Sequence, residues 1–283
     1  MKSILRYLVT LVVGISIGIS SYVWLYPKAK QFFDKARETK KKETAARVVN
    51  PTPTLPPHKD HYPVPPEPPQ GGFFTGSKPP VPDLEKSDSV VRQQIETLFG
   101  SKAVSLFVRK NLIRRIVIAV DNGTLRPQPP QEFLPLKLLK PGFVVTHNGE
   151  ERTLSRYNFD RYQPFVSFVQ TADLPKVVEF YVHFYSLFQE AYKELGTQGY
   201  FNDRLIDVID SVLKTPEPRG PIHVMRFPPH YKYKFVDADL EMLPYPQKLL
   251  LRMGKKNAQV IKARLRELRG LLTHLDKSGN PLR

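Results

Sequence analysis

The chain has 283 residues, with 43 Lys and Arg against 27 Asp and Glu, for a formal net charge of +16. A 41% hydrophobic content supports a packed core and excludes a wholly disordered chain. The absence of cysteine excludes disulfides, thiolate zinc sites and cysteine nucleophiles, and the excess charge points to an anionic partner, lipid or nucleic acid.

The charge is unevenly placed. Residues 1–50 hold ten basic residues against three acidic ones, and 51–82 are neutral overall. Residues 248–269 hold eight basic residues against Glu267 alone. Each basic stretch needs its own explanation.

Tyr7 to Pro27 carries no charge over 21 residues. At about 1.5 Å per residue this spans a hydrocarbon core of about 30 Å. Tyr7 at one end, with Tyr22, Trp24 and Tyr26 at the other, has the pattern of an aromatic belt. Residues 1–27 are therefore expected to be a short tail and a transmembrane helix. A cleaved export signal is the rival, because Lys2 and Arg6 precede the apolar run and Gly18-Ile19-Ser20 offers a cleavage site. The run continues past that site through Trp24, which favours an uncleaved anchor. Gly14 and Gly18 form a GxxxG through which two such helices could approach as a homodimer.

Residues 28–50 read as a basic juxtamembrane helix lying against anionic headgroups. Topology is pulled two ways. Eight Lys and Arg in 28–47 favour a cytoplasmic domain. A short basic head before an apolar run, followed by a long domain, favours export. We take the domain to lie outside. Residues 51–82 contain twelve prolines and are expected to form a semi-rigid spacer, reaching roughly 100 Å if extended as polyproline II. A ligand for a proline-recognising domain is the sharper alternative. Gly71-Gly72-Phe73-Phe74 interrupts the spacer as a possible point of contact.

Residues 83–275 read as a helical globular domain with minor β-hairpin elements, followed by a flexible tail over 276–283. The fold class is thus mostly α. Helices are expected over 87–99, from Ser101 to Val120, over 157–170, from Asp173 to Gly196, and from an Asn202 cap to about Lys214. Two more are expected over 246–253 and from 255 to about 272, separated by Gly254. His147-Asn148-Gly149 signals a hairpin between two β-prone runs. Residues 222–227 and 231–235 could pair as strands.

Gly199-Tyr200-Phe201-Asn202-Asp203-Arg204-Leu205, Thr215-Pro216-Glu217-Pro218 and Gly220-Pro221-Ile222 stand out in the second half. So does Gln247-Lys248-Leu249-Leu250-Leu251-Arg252-Met253-Gly254 with Asn257-Ala258. In these runs, and in its anchor-plus-linker layout, the chain resembles a bacterial membrane-anchored family, the domain-of-unknown-function family 3014, over roughly 83–275. The resemblance implies a bacterial envelope protein and little more; with the topology taken above, the anchor is expected in the inner membrane and the domain in the periplasm. It supplies no catalytic residues. The strongly basic flank after the anchor departs from that family.

No phosphate-binding loop, dinucleotide fingerprint, hydrolase elbow or HExxH occurs, and no cofactor is implied. Glu179 and His183 lie one turn apart and could form an acid/base pair, but the helical pattern places them on a solvated face. Asp203, Asp207 and Asp210 share one face. They could bind a cation or act on an envelope polymer, or they could stabilise a helix start and pair with Lys262, Arg264, Arg266 or Arg269. Arg204 reads as structural. Thirteen aromatics crowd residues 157–201, so Tyr181, Tyr185, Tyr192, Tyr200 and Phe201 are either core or the lining of a binding groove. The last helix carries Lys262, Arg264, Arg266 and Arg269 around an apolar seam. That face is either solvated or offered to an anionic partner. No aromatics interleave with these cations, which argues against a single-strand nucleic-acid platform.

The expected function is a non-catalytic binding or scaffolding module that positions another envelope component, protein or polymer. Asp203, Arg204, the aromatic cluster and the basic helix are its candidate binding residues. The alternatives are an enzyme acting on an envelope polymer and a cytoplasmic tether for an acidic protein or nucleic acid.

Overall fold

The computed structural model describes residues 62, 64, 73, 74, 77–139, 142–227 and 232–273. The expected membrane helix with Gly14 and Gly18, the juxtamembrane stretch and the tail after 275 lie outside the described residues. Among the described residues no helix is long and apolar enough to cross a membrane.

Ten helices and two hairpins are described. Helix α1 is Ser87–Val104 and α2 is Leu112–Asp121. The hairpin β1 (Val145–Asn148) and β2 (Glu151–Leu154) precedes α3 (Tyr157–Arg161) and α4 (Gln163–Thr171). Next come α5 (Leu174–His183), α6 (Tyr185–Glu194) and α7 (Phe201–Leu213). The second hairpin, β3 (Val224–Phe227) with β4 (Lys232–Phe235), leads to α8 (Ala238–Glu241), α9 (Tyr245–Met253) and α10 (Lys255–Thr273).

Three expected helices are divided. The one expected from Ser101 to Val120 stops at Val104 and resumes at Leu112. Gly100, at φ 79° and ψ 166°, kinks α1 beforehand, a backbone region open to glycine. Asn111 is left-handed at φ 56°, and the Asp88 carboxylate accepts the amides of Asn111 and Leu112 at 2.7 and 2.8 Å. A side chain on α1 thus caps the start of α2. Pro164 lies in the first turn of α4, where its missing amide costs nothing, and the expected 157–170 helix breaks at Tyr162. The expected 173–196 helix breaks at Phe184, which is fully buried with φ −96° and ψ 13°. Asp173 caps α5 as expected, accepting the Lys176 amide at 3.3 Å. Asn202 does not cap α7; Tyr200 occupies that position.

Both hairpins are antiparallel, with Val145 opposite Leu154 and Val224 opposite Phe235. The first turn is Gly149-Glu150, one residue later than expected. The two hairpins meet where the Leu154 amide donates to the Ile222 carbonyl at 2.8 Å.

Packing forms three adjoining cores. The largest joins α1, α2, α5, α6 and α7, centred on Val91, Leu112, Ile113, Val117, Val178, Phe184, Phe201 and Ile206. A second, around Tyr162, Val166, Leu250, Met253 and Ile261, packs α10 against α4, α7 and α9. A third seats the second hairpin on Leu251. At the α9–α10 corner Gly254 has φ 83°, and a Cβ there would meet the Phe159 ring at 2.6–2.7 Å. Only glycine fits that corner without strain.

Candidate functional site

The aromatic cluster is built chiefly as core. Phe201 is 1% exposed. It stacks on Phe188 with centroids 5.6 Å apart and meets Tyr192 edge-on at 5.7 Å. Tyr181 is buried, with its hydroxyl donating to Asn202 Oδ1 at 3.1 Å. Tyr185 is half-buried and donates to Gln189 Oε1 at 2.8 Å, which also accepts the Phe201 amide at 2.9 Å. Burial pushes the Tyr181 phenol well above its ordinary range and the Tyr185 phenol up to about 12, and it raises Tyr192 as well. All three phenols are neutral at physiological pH, and those of Tyr181 and Tyr185 act as hydrogen-bond donors. Tyr200, 54% exposed, is the member of the cluster that faces solvent.

The basic helix α10 also turns inward. Lys262 is 5% exposed, and its Nζ donates to the Thr215 carbonyl, just past the end of α7, at 2.6 Å. Glu217 lies 3.6 Å from the same ammonium. Arg264 donates to the carbonyls of Val169 and Ala172 at the end of α4, and to Glu267. Arg269 grips Asp210 through two bonds of 2.5 and 3.0 Å. Asp210 and, more weakly, the Tyr62 phenol hold its guanidinium in the charged form. Arg266 points outward.

Arg204 follows the same logic. It is 4% exposed and donates to the Asp121 carbonyl at the end of α2 and to Thr124 Oγ1 at 2.8 Å. Its Nε lies 3.5 Å from Asp121 Oδ1, an ion pair rather than an aligned hydrogen bond. Burial nevertheless raises the Asp121 carboxyl above its usual range. Cations placed on the last carbonyls of α2, α4 and α7 satisfy acceptors that have no partner within their own helix, and they complement its dipole.

One polar face behaves differently. Glu179 is 4% exposed, so the face expected to be solvated is covered. Its cover is the chain's own proline-rich segment. Phe73 and Phe74 donate their successive amides to Glu179 Oε2 and Oε1 at 2.8 and 3.5 Å. The Phe74 ring lies 4.8 Å from the His183 ring. His183 Nε2 is 2.8 Å from the Pro79 carbonyl, which can only accept, so that nitrogen carries the proton. Farther along, Asp203 Oδ1 accepts the Tyr62 amide at 2.8 Å, and Asn202 Nδ2 donates to the Tyr62 carbonyl at 3.0 Å. Tyr62, Val64, Phe73 and Phe74 pack on the largest core. Part of the expected spacer is therefore seated on the domain. The pair Glu179 and His183 was visible as one helical face in the sequence; nothing there indicated what lies over it.

The acidic face of α7 is split between tasks. Asp203 holds Tyr62 while Asp210 holds Arg269. A shallow hollow is lined by Tyr185, Ser186, Gln189, Glu190, Lys193 and Glu194, and a second by residues of 218–223 and 236–240. Asp203, Asp207 and Asp210 line neither. Among the described residues no group of three His, Asp or Glu side chains is arranged to hold a metal ion.

A family model described as "Protein of unknown function (DUF3014)" matches residues 112–269. That stretch starts at α2 and ends within α10, so it contains Glu179, His183, Asn202 and Asp203. No curated protein and no solved structure matches the chain.

Proposed function

We infer that this chain, which belongs to the DUF3014 family, is a non-catalytic binding module that positions another protein of the bacterial envelope. The supporting observation is the Glu179–Asp203 face, where side chains of α5 and α7 hold the main chain of a peptide segment. A buried carboxylate that accepts two backbone amides performs recognition and leaves no free group for acid/base work. Lys262, Arg264 and Arg269 of α10, with Asp210 of α7, are engaged in holding the fold, whereas Asp203 belongs to the recognition face and Tyr200 is exposed next to it in sequence. In this reading residues 7–27 anchor the chain in the inner membrane, the domain lies in the periplasm, and the proline-rich segment between them sets its distance from the bilayer.

The reading is tested in cells. A topology reporter fused after Arg283 should report export, and crosslinking from position 200 should return a reproducible envelope protein. A cytoplasmic reporter signal, or crosslinks to lipid and to the chain itself only, would count against it.

A further inference from the structure

We propose that the face formed by Glu179 and His183 on α5, with Asn202 and Asp203 on α7, is a peptide-binding site, and that its present occupant is a displaceable internal ligand. The partner it fits is a protein segment with two adjacent aromatic residues whose successive amides are both free. This deepens the binding-module reading and rests on it.

The chemistry of the occupant follows from the site. Glu179 is nine-tenths buried, and its hydrogen bonds are to Phe73 and Phe74. A buried carboxylate left without donors is costly, so any replacement must also supply two convergent N–H groups. The aromatic requirement comes from the Phe74–His183 ring contact and from the 4.6 Å approach of the Phe73 and Phe74 rings to one another. His183 adds a donor for a carbonyl several residues downstream, the place taken by Pro79. A proline there lacks an amide and needs no acceptor from the site.

Displaceability follows from how the segment is held. Phe73, Phe74 and Pro79 make no backbone–backbone hydrogen bond to the helices beneath them. Phe73 and Phe74 are only half-buried. A segment held by side chains alone, outside the helical ladders, belongs to the low-stability end of a fold and opens without global unfolding. While tethered it competes at an effective concentration in the millimolar range, which masks the site from weak ligands.

The test uses the full chain and a fluorescent peptide of its own residues 69–80, which carries Phe73, Phe74 and Pro79. The wild-type chain should bind this peptide weakly. A Phe73→Ala/Phe74→Ala chain should bind it at least tenfold more tightly, because the internal competitor is weakened. Adding Glu179→Gln to that chain should reverse the gain at least tenfold, and a peptide with both Phe residues replaced by Ala should not bind. Equal affinity for the wild-type and double-Ala chains, or a gain that survives Glu179→Gln, would overturn the proposal. If the double-Ala chain loses its near-ultraviolet circular dichroism, wild-type chain with excess peptide is followed by hydrogen exchange. Faster exchange at Phe73 and Phe74 supports displacement, and unchanged exchange overturns it. A captured envelope partner without peptide binding would remove this site but leave the binding-module reading. Peptide binding without a captured partner would do the reverse.

Discussion

The aromatic helices α5 to α7 and the basic helix α10 looked alike in composition, each concentrated enough to suggest an exposed binding surface. Their fates differ in mechanism but agree in direction. Aromatics on α5 to α7 cover more than one stripe because α5 and α6 are packed from several sides, by α1, α2 and α7. The cations of α10 are long enough to reach the C-terminal carbonyls of neighbouring helices, and three of the four do engage internal acceptors. Density of a residue type on a helix therefore measures what its neighbours need as well as what a partner would see.

Four changes would break or sharpen that contrast. Phe201→Ala should have the largest effect, because it opens a cavity where the rings of Tyr181, Phe188 and Tyr192 meet Phe201; we expect a loss of about 3–5 kcal/mol in denaturant unfolding. Gly254→Ala should cost about 2–4 kcal/mol in the same assay, combining a left-handed backbone with a clash on Phe159. Lys262→Met removes the donor from the Thr215 carbonyl and should cost about 1–3 kcal/mol, whereas outward-facing Arg266→Ala should stay within about 0.5 kcal/mol. Equal effects at 262 and 266 would mean that helix-end capping does not explain the charge of α10.

A small, pH-dependent effect concerns Arg114, which bridges Glu194 at 2.6 Å and Glu85 at 2.6 Å. Hydrogen bonding to Arg114 holds the Glu194 carboxyl below its ordinary value of 4.5. The folded chain therefore binds that proton less readily than the unfolded chain. The stabilisation is present above pH 4.5 and is lost as pH falls through the lowered folded value. Because Glu194 is partly exposed, the contribution is below about 1 kcal/mol. The difference in unfolding midpoint between wild type and Arg114→Met should shrink on acidification from about pH 7 to about pH 3.

Much of the fold was legible because its signals are local. Asp173 before Leu174-Pro175, Gly254 between two periodic runs, and the two strand pairs all act within a few residues of themselves. The divided helices were not legible for the opposite reason. The break before α2 depends on Asp88, more than twenty residues away in sequence, reaching two amides. The break at Phe184 occurs inside an unbroken apolar pattern, at a ring that is fully buried, and no local signal marks it. Asn202 is a good capping residue by type, yet its side chain is engaged by Tyr181 and Tyr62 instead.

The candidate site shows the same division. Asp210 with Arg269 was an anticipated pairing, because opposite charges on two helices of one domain find each other readily. Glu179 and His183 were placed on one face correctly and given the wrong surroundings, since helical periodicity reports which residues share a face and not what covers it.

The sequence alone determined the uncharged run over 7–27, the proline-rich stretch, the helical period of the domain and the family to which it belongs. Each is a property of neighbours along the chain. Only the tertiary structure decided that Lys262 and Arg264 of α10 reach helix ends, that the aromatic cluster is mostly core, and that Phe73 and Phe74 lie on Glu179. Those outcomes depend on burial, and burial is set by contacts between residues up to 141 positions apart.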